Sequence, residues 1–122
     1  MSRSTRLYLE DIDKSCSKIL QYIQGMTFTE FLEDSRTYDA VIRNLQIIGE
    51  ATKKIPPDLR EQCSTVDWRS IAGLRDIVVH GYFQVRDDII WDVVQNEINV
   101  LQMEIQTLLV SNIENNEEGE LN

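Results

Sequence analysis

The sequence predicts an all-α fold, an antiparallel bundle of four helices with room for a fifth. Three observations lead there. Glycine and proline are scarce, at 5 and 2 of 122 residues. No run alternates apolar and polar residues as a half-buried strand would, and four long segments space their apolar residues three and four apart. The first segment runs from Thr5 to Gln24, with Leu9, Ile12, Cys16, Ile19, Leu20 and Ile23 on one face and Gly25 as its stop. Thr29, or Asp34 with Ser35, can cap the next stretch, a short turn around Phe31 and Leu32 and then a second long helix. That helix carries Tyr38, Val41, Ile42, Leu45, Ile48 and Thr52 in one stripe and ends at Pro56-Pro57. The stretch DLREQCST after the prolines has room for one helical turn. Asp67 suits the N-cap of a third helix, Trp68 to about Val79, which Gly81 interrupts. Asp87 or Asp88 caps a fourth, whose stripe is Ile90, Val94, Glu97 or Ile98, Leu101, Ile105 and Leu108. Trp91 lies beside that stripe, which fits either a bundle-edge aromatic or a contact with a second chain.

One domain fits this length, assigned to residues 1–111, with 112–122 as an acidic and disordered tail. The chain has 21 acidic against 12 basic residues, a net charge of −9 and a pI near 4.5. Such a balance argues against a broad nucleic-acid-coating surface. Without the four glutamates of the tail, 17 acids face 12 bases. Cys16 and Cys63 form no disulfide framework, no export signal opens the sequence, and no apolar run has the length of a membrane span. A cytoplasmic protein with free thiols and no membrane partner is expected.

One histidine and two distant cysteines make no usual zinc site, and no phosphate-cradling glycine loop occurs. No metal and no cofactor is expected. The remaining chemistry lies in Gly73-Leu-Arg-Asp-Ile-Val-Val-His-Gly-Tyr-Phe83. On a helix, Ile71, Leu74, Ile77 and Val78 share the core side, while Asp76 and His80, four apart, can hydrogen-bond on another flank. Arg75 offers a permanent cation in a planar fork. His80 exchanges protons near neutrality, oriented by Asp76, and Tyr82 adds a hydroxyl. Metal-free RNA cleavage needs these parts, a proton-transfer group and a cation for the crowded phosphorane. Arg75 and His80 diverge by about 140° on a regular helix. Either the helix end distorts at Gly81, or two chains bring their motifs to one cleft, which would make the active form a homodimer. By itself, Arg-x4-His also describes a surface arginine and a histidine resting on a helix C-terminus.

The segment GLRDIVVHGYF resembles the signature of the HEPN superfamily, in particular the HepT toxins of HEPN–MNT toxin–antitoxin pairs. Arg75, His80 and Tyr82 match the Arg-x4-His-x-Tyr form of that motif. The stretch from Asp39 to Ala51, DAVIRNLQIIGEA, is similar to the family's second-helix pattern, and the likeness runs from about Tyr8 to Leu109. The resemblance implies a dimeric helical bundle and a metal-independent endoribonuclease that leaves a 2′,3′-cyclic phosphate. By that likeness Arg75 binds the phosphate, His80 moves protons and Asp76 supports them. It implies an RNA substrate and, as partner, a minimal nucleotidyltransferase antitoxin of the MNT type, with Tyr82 as the adenylylation acceptor. Asn44 and Glu50 are candidates for the cleft wall. Relatives commonly carry Gly-Val after the Tyr-Phe pair, where this chain has Gln84-Val85. A non-catalytic nucleotide-binding or transferase-docking module is the alternative.

Overall fold

The structure is a computed structural model that describes residues 1–80 and 86–121, with side chains described for 1–75 and 86–111. Ser2 opens α1 (Arg3–Ile23) by accepting from the Thr5 amide, and Gly25 turns the chain at a φ of 75°. That left-handed conformation is one that glycine adopts without a Cβ clash. Thr27, not Thr29, caps α2 (Phe28–Glu33) in a reciprocal capping box with Glu30, and Asp34 caps α3 (Ser35–Thr52). Thr37 holds Asp34 from both its amide and its hydroxyl, which lowers the Asp34 pKa. After Pro56 comes one turn, α4 (Pro57–Glu61). Asp67 then accepts from the Ser70 amide at the start of α5 (Trp68–His80). The Trp68 indole donates to the Arg60 and Cys63 carbonyls, which fixes α4 against the start of α5.

The fourth long helix is interrupted. It comprises α6 (Asp87–Asp92), a π turn at Val93–Glu97 and α7 (Ile98–Leu121). The extra residue in the π turn explains an ambiguity in the stripe. Counting 3.6 residues per turn from Ile90 reaches Glu97, but the wider turn delays the phase and buries Ile98. Glu97 is displaced toward α5, where it accepts from the Ser70 hydroxyl; partial burial raises its pKa. Residues 112–121, expected as a disordered tail, continue α7 as helix. Adding turns to an already packed helix fixes one residue per hydrogen bond and needs no new nucleus.

Each stripe then meets its neighbour. α3 packs on both α1 and α5, and α1 packs on α7. Gln102 bridges Asp13 and Ser17 while Gln106 reaches Asp13, so α1 and α7 run antiparallel. Ser70 on Glu97 and Thr65 on Glu104 show α7 descending alongside the start of α5. The core is continuous from Leu9, Ile12 and Ile19 through Leu45 and Ile48 to Leu74 and Ile98. Cys16 and Cys63 are free and buried within it, and loss of hydration drives their pKa values up to about 12 and about 11. Trp91 finds its partners within its own chain, with ring centroids 5.1 Å from Phe31 and 5.9 Å from Phe28. It closes α6 over α2, which accounts for its place off the stripe within one chain. Among the described residues, no helix is long and apolar enough to cross a membrane.

Candidate active site

Arg75 lies on α5 where that helix comes close to α3. Gly49, buried in α3, makes the approach possible: a Cβ there would stand 2.8 Å from the Arg75 amide nitrogen and 3.3 Å from its Cα. Any other residue at 49 would hold the two backbones apart. From this contact the Arg75 side chain extends outward and its Nε meets Glu50 Oε1 at 2.6 Å. Both side chains remain about half exposed, at 41% and 46%. A pair so open to water contributes little to stability. Its consequence is orientation. Held at Nε, the guanidinium makes no other ion pair or hydrogen bond among the described residues. Its terminal N–H groups thus remain in position to meet an anion in a bidentate fashion.

Of the other residues singled out by the sequence, Glu50 is brought to Arg75. Asn44 is buried one to two turns earlier on α3 and donates from Nδ2 to the Ala40 carbonyl; it makes no bond to Arg75. Asp76 and His80 belong to α5, with His80 its last residue, about 7.5 Å along the axis from Arg75 by helical rise. Their side chains, and Tyr82 altogether, lie outside the described residues. Among the described residues no cluster of histidine, cysteine and carboxylate is arranged to hold a metal ion.

Sequence reasoning missed Gly49, although a glycine in the interior of a long amphipathic helix is a legible signal of close approach. It also missed Arg43 and Lys54. Arg43, Ile47 and Glu50 fall at i, i+4 and i+7 of α3, one line along the helix, and Lys54 lies two residues past its end. They border a groove of about 370 Å³ between α1 and α3. The charge is strongly segregated along the chain. Residues 34–80 hold seven acids and seven bases, whereas residues 81–122 hold nine acids and a single base, Arg86. The acidity that argues against nucleic acid thus belongs to the C-terminal third, not to the α3–α5 surface that carries Arg75.

An all-helical bundle whose third long helix presents an arginine and ends on a histidine five residues later has the architecture of a HEPN domain. Residues 12–108 match the family model described as Ribonuclease HepT-like. The chain is 39% identical over 108 residues to "Probable ribonuclease HepT" of Thermococcus cleftensis, covering 88% of this chain and 98% of that one. It is 38% identical to "Putative RNase MJ0127" of Methanocaldococcus jannaschii, covering 98% of both. Among solved structures it is similar to the tri-AMPylated HEPN toxin of Shewanella oneidensis in complex with MNT antitoxin. That likeness has a TM-score of 0.66 at 23% identity and covers 88% of this chain and 98% of the toxin. The chain belongs to the ribonuclease HepT-like family.

Proposed function

We propose that this chain is the toxin of a HEPN–MNT pair, a metal-independent endoribonuclease whose site is completed by two copies of the chain. The observation that carries this reading is Arg75 itself, seated by Gly49, oriented by Glu50 and still half exposed. A surface arginine with no function needs neither the glycine nor the fixed orientation. In the proposed reaction the Arg75 guanidinium binds the non-bridging oxygens of the scissile phosphate. It stabilises the charge that builds as the substrate 2′-oxygen attacks phosphorus. One His80, neutral, takes the 2′-hydroxyl proton. The His80 of the second copy, protonated, gives a proton to the leaving 5′-oxygen as the P–O5′ bond breaks. The products are a 2′,3′-cyclic phosphate and a 5′-hydroxyl, and protons balance without a metal.

The two-chain site is tested by mixing. Arg75→Ala and His80→Ala are each expected to be inactive as purified. Refolded with an excess of His80→Ala, the parent chain should lose most of its activity, because a mixed pair keeps only one of the two histidines. Parent activity unaffected by that excess removes the shared site.

The proposed antitoxin is a minimal nucleotidyltransferase that acts by binding the toxin, by adenylylating Tyr82, or by both. The similarity to a tri-AMPylated toxin held by its MNT antitoxin supports this partner. An adenylyl group at Tyr82, two residues past His80, would bring bulk and a phosphate charge to the end of α5. Coexpression with a neighbouring transferase gene should add mass in AMP units, and Tyr82→Phe should abolish the addition. Neutralisation of toxicity with an unchanged mass would assign inhibition to complex formation alone.

A further inference from the structure

The groove between α1 and α3 has a composition that a ribonuclease core does not require. Its floor is apolar, Ile47 and Ala51, and the half-buried Tyr8 of α1 lines it. Gln46, half-buried, and Asp11, exposed, add an amide and a carboxylate to its lining, and Arg43 of α3 and Lys54, just past the end of that helix, border it, both exposed. Glu50 belongs at once to this groove and to the Arg75 ion pair, so the groove adjoins the place where the scissile phosphate would sit.

We propose that this groove is a base-recognition subsite that receives a nucleobase of single-stranded RNA beside the cleaved phosphate. The inference rests on the ribonuclease reading and extends it to substrate choice. The Asp11 and Glu50 carboxylates that line the groove disfavour a phosphate there, so the occupant is the neutral part of a nucleotide. A flat ring over Ile47 and Ala51 can stack on Tyr8, the usual way in which single strands are held. Asp11 accepts hydrogen bonds only, and Gln46 has an accepting carbonyl as well as a donating amide. This set favours a base with an exocyclic amine (adenine, cytosine or guanine) over uracil. Arg43 and Lys54, on either side, meet the phosphates before and after that base. Because these cations are few and local, an acidic protein acquires selectivity for particular single-stranded sequences without a general affinity for nucleic acid.

The test separates binding from cleavage by using the full chain with His80→Ala and fluorescein-labelled RNA octamers. Octamers containing adenine or cytosine are expected to bind at least fivefold more tightly than oligouridine. Adding Tyr8→Ala should weaken binding about tenfold and level the difference. Adding Gln46→Leu should reduce the preference while leaving oligouridine affinity nearly unchanged. Arg43→Ala with Lys54→Ala should flatten the slope of log K against log salt by about 1.4, two phosphate contacts on a single strand. Equal affinity for all octamers, or Tyr8→Ala and Gln46→Leu variants that bind within twofold of the parent with the same preference, overturns the subsite. So does a Tyr8→Ala chain whose mass by light scattering falls to that of one copy, since the groove is then a contact between chains. If the octamers bind as expected but chain with His80 intact leaves RNA uncut, the ribonuclease reading fails and the base-binding groove stands.

Discussion

Arg75→Ala is expected to lower RNA cleavage by about two to three orders of magnitude, the usual loss on removing one preorganised donor from a developing oxyanion. The melting temperature should move little. The side chain is half exposed and its ion pair with Glu50 lies in water, where such pairs contribute little. A large loss of activity without a loss of stability is therefore the signature sought. Arg75→Lys should recover only a small part, because an ammonium keeps the charge but not the fork that meets two phosphate oxygens while Nε stays on Glu50. Glu50→Gln should fall between Arg75→Lys and the parent chain. An amide oxygen still accepts from Nε, so the orientation survives in weakened form. Steady-state cleavage of a labelled RNA, with thermal melts of each variant, measures all three. Arg75→Ala with wild-type activity would return the residue to an ordinary surface role.

Gly49→Ala is the second large effect, and its sign is informative. In the middle of a helix, replacing glycine by alanine ordinarily stabilises by roughly 0.5–1 kcal/mol, because glycine loses more backbone freedom on folding. At Gly49 the new Cβ would stand 2.8 Å from a backbone nitrogen, and backbone cannot rotate aside as a side chain can. α3 and α5 must part, and overpacking of this kind costs about 1–3 kcal/mol. The separation would also carry Arg75 away from Glu50. A displacement near 1 Å at a positioned group can reduce rate about 100-fold. Gly73, two residues before Arg75 on α5, supplies the control, since a Cβ there meets nothing within 4 Å. Gly73→Ala should stabilise. Opposite shifts in denaturant midpoint for the two variants, with activity lost only in Gly49→Ala, would establish the close contact. Equal stabilisation by both would show that α3 and α5 do not approach so closely.

Most of the bundle was legible because its signals are local and periodic. Leu9, Ile12, Cys16, Ile19 and Ile23 are all buried, as the spacing along α1 requires. The exact caps were less legible where several polar residues stand together. Thr27-Phe-Thr-Glu30 satisfies the capping-box pattern, and the preference for Thr29 overlooked the glutamate that completes it. The π turn was not legible, since a one-residue change of phase leaves both Glu97 and Ile98 on the stripe until tertiary packing selects one. Trp91 likewise needed the fold, for its partners Phe28 and Phe31 lie some sixty residues away. In the site, Arg75 and His80 stand out by motif, whereas the ion pair to Glu50 joins residues 25 positions apart and no spacing rule foretells it. The groove escaped for a similar reason. Arg43, Ile47 and Glu50 share a line on α3 and Lys54 follows its end, but that line becomes a groove only when Tyr8 and Asp11 of α1 face it.

The charge segregation also changes how acidity bears on function. A net charge of −9 implies general repulsion of RNA, yet the stretch from residue 34 to residue 80 is balanced. Long-range repulsion then disfavours arbitrary polyanions, while on the proposed function local cations would serve a strand that has already docked.

On the proposed function, Arg75 and His80 together cleave RNA without a metal. The most direct measurement incubates the purified chain with total RNA and with tRNA in excess EDTA, beside His80→Ala at equal concentration. The parent chain should cleave the RNA and leave product ends carrying 2′,3′-cyclic phosphate, with a loss of about 100-fold or more in His80→Ala. RNA left intact by both proteins, or cut equally by both, would contradict it and leave this HEPN fold as a nucleotide-binding or transferase-docking module.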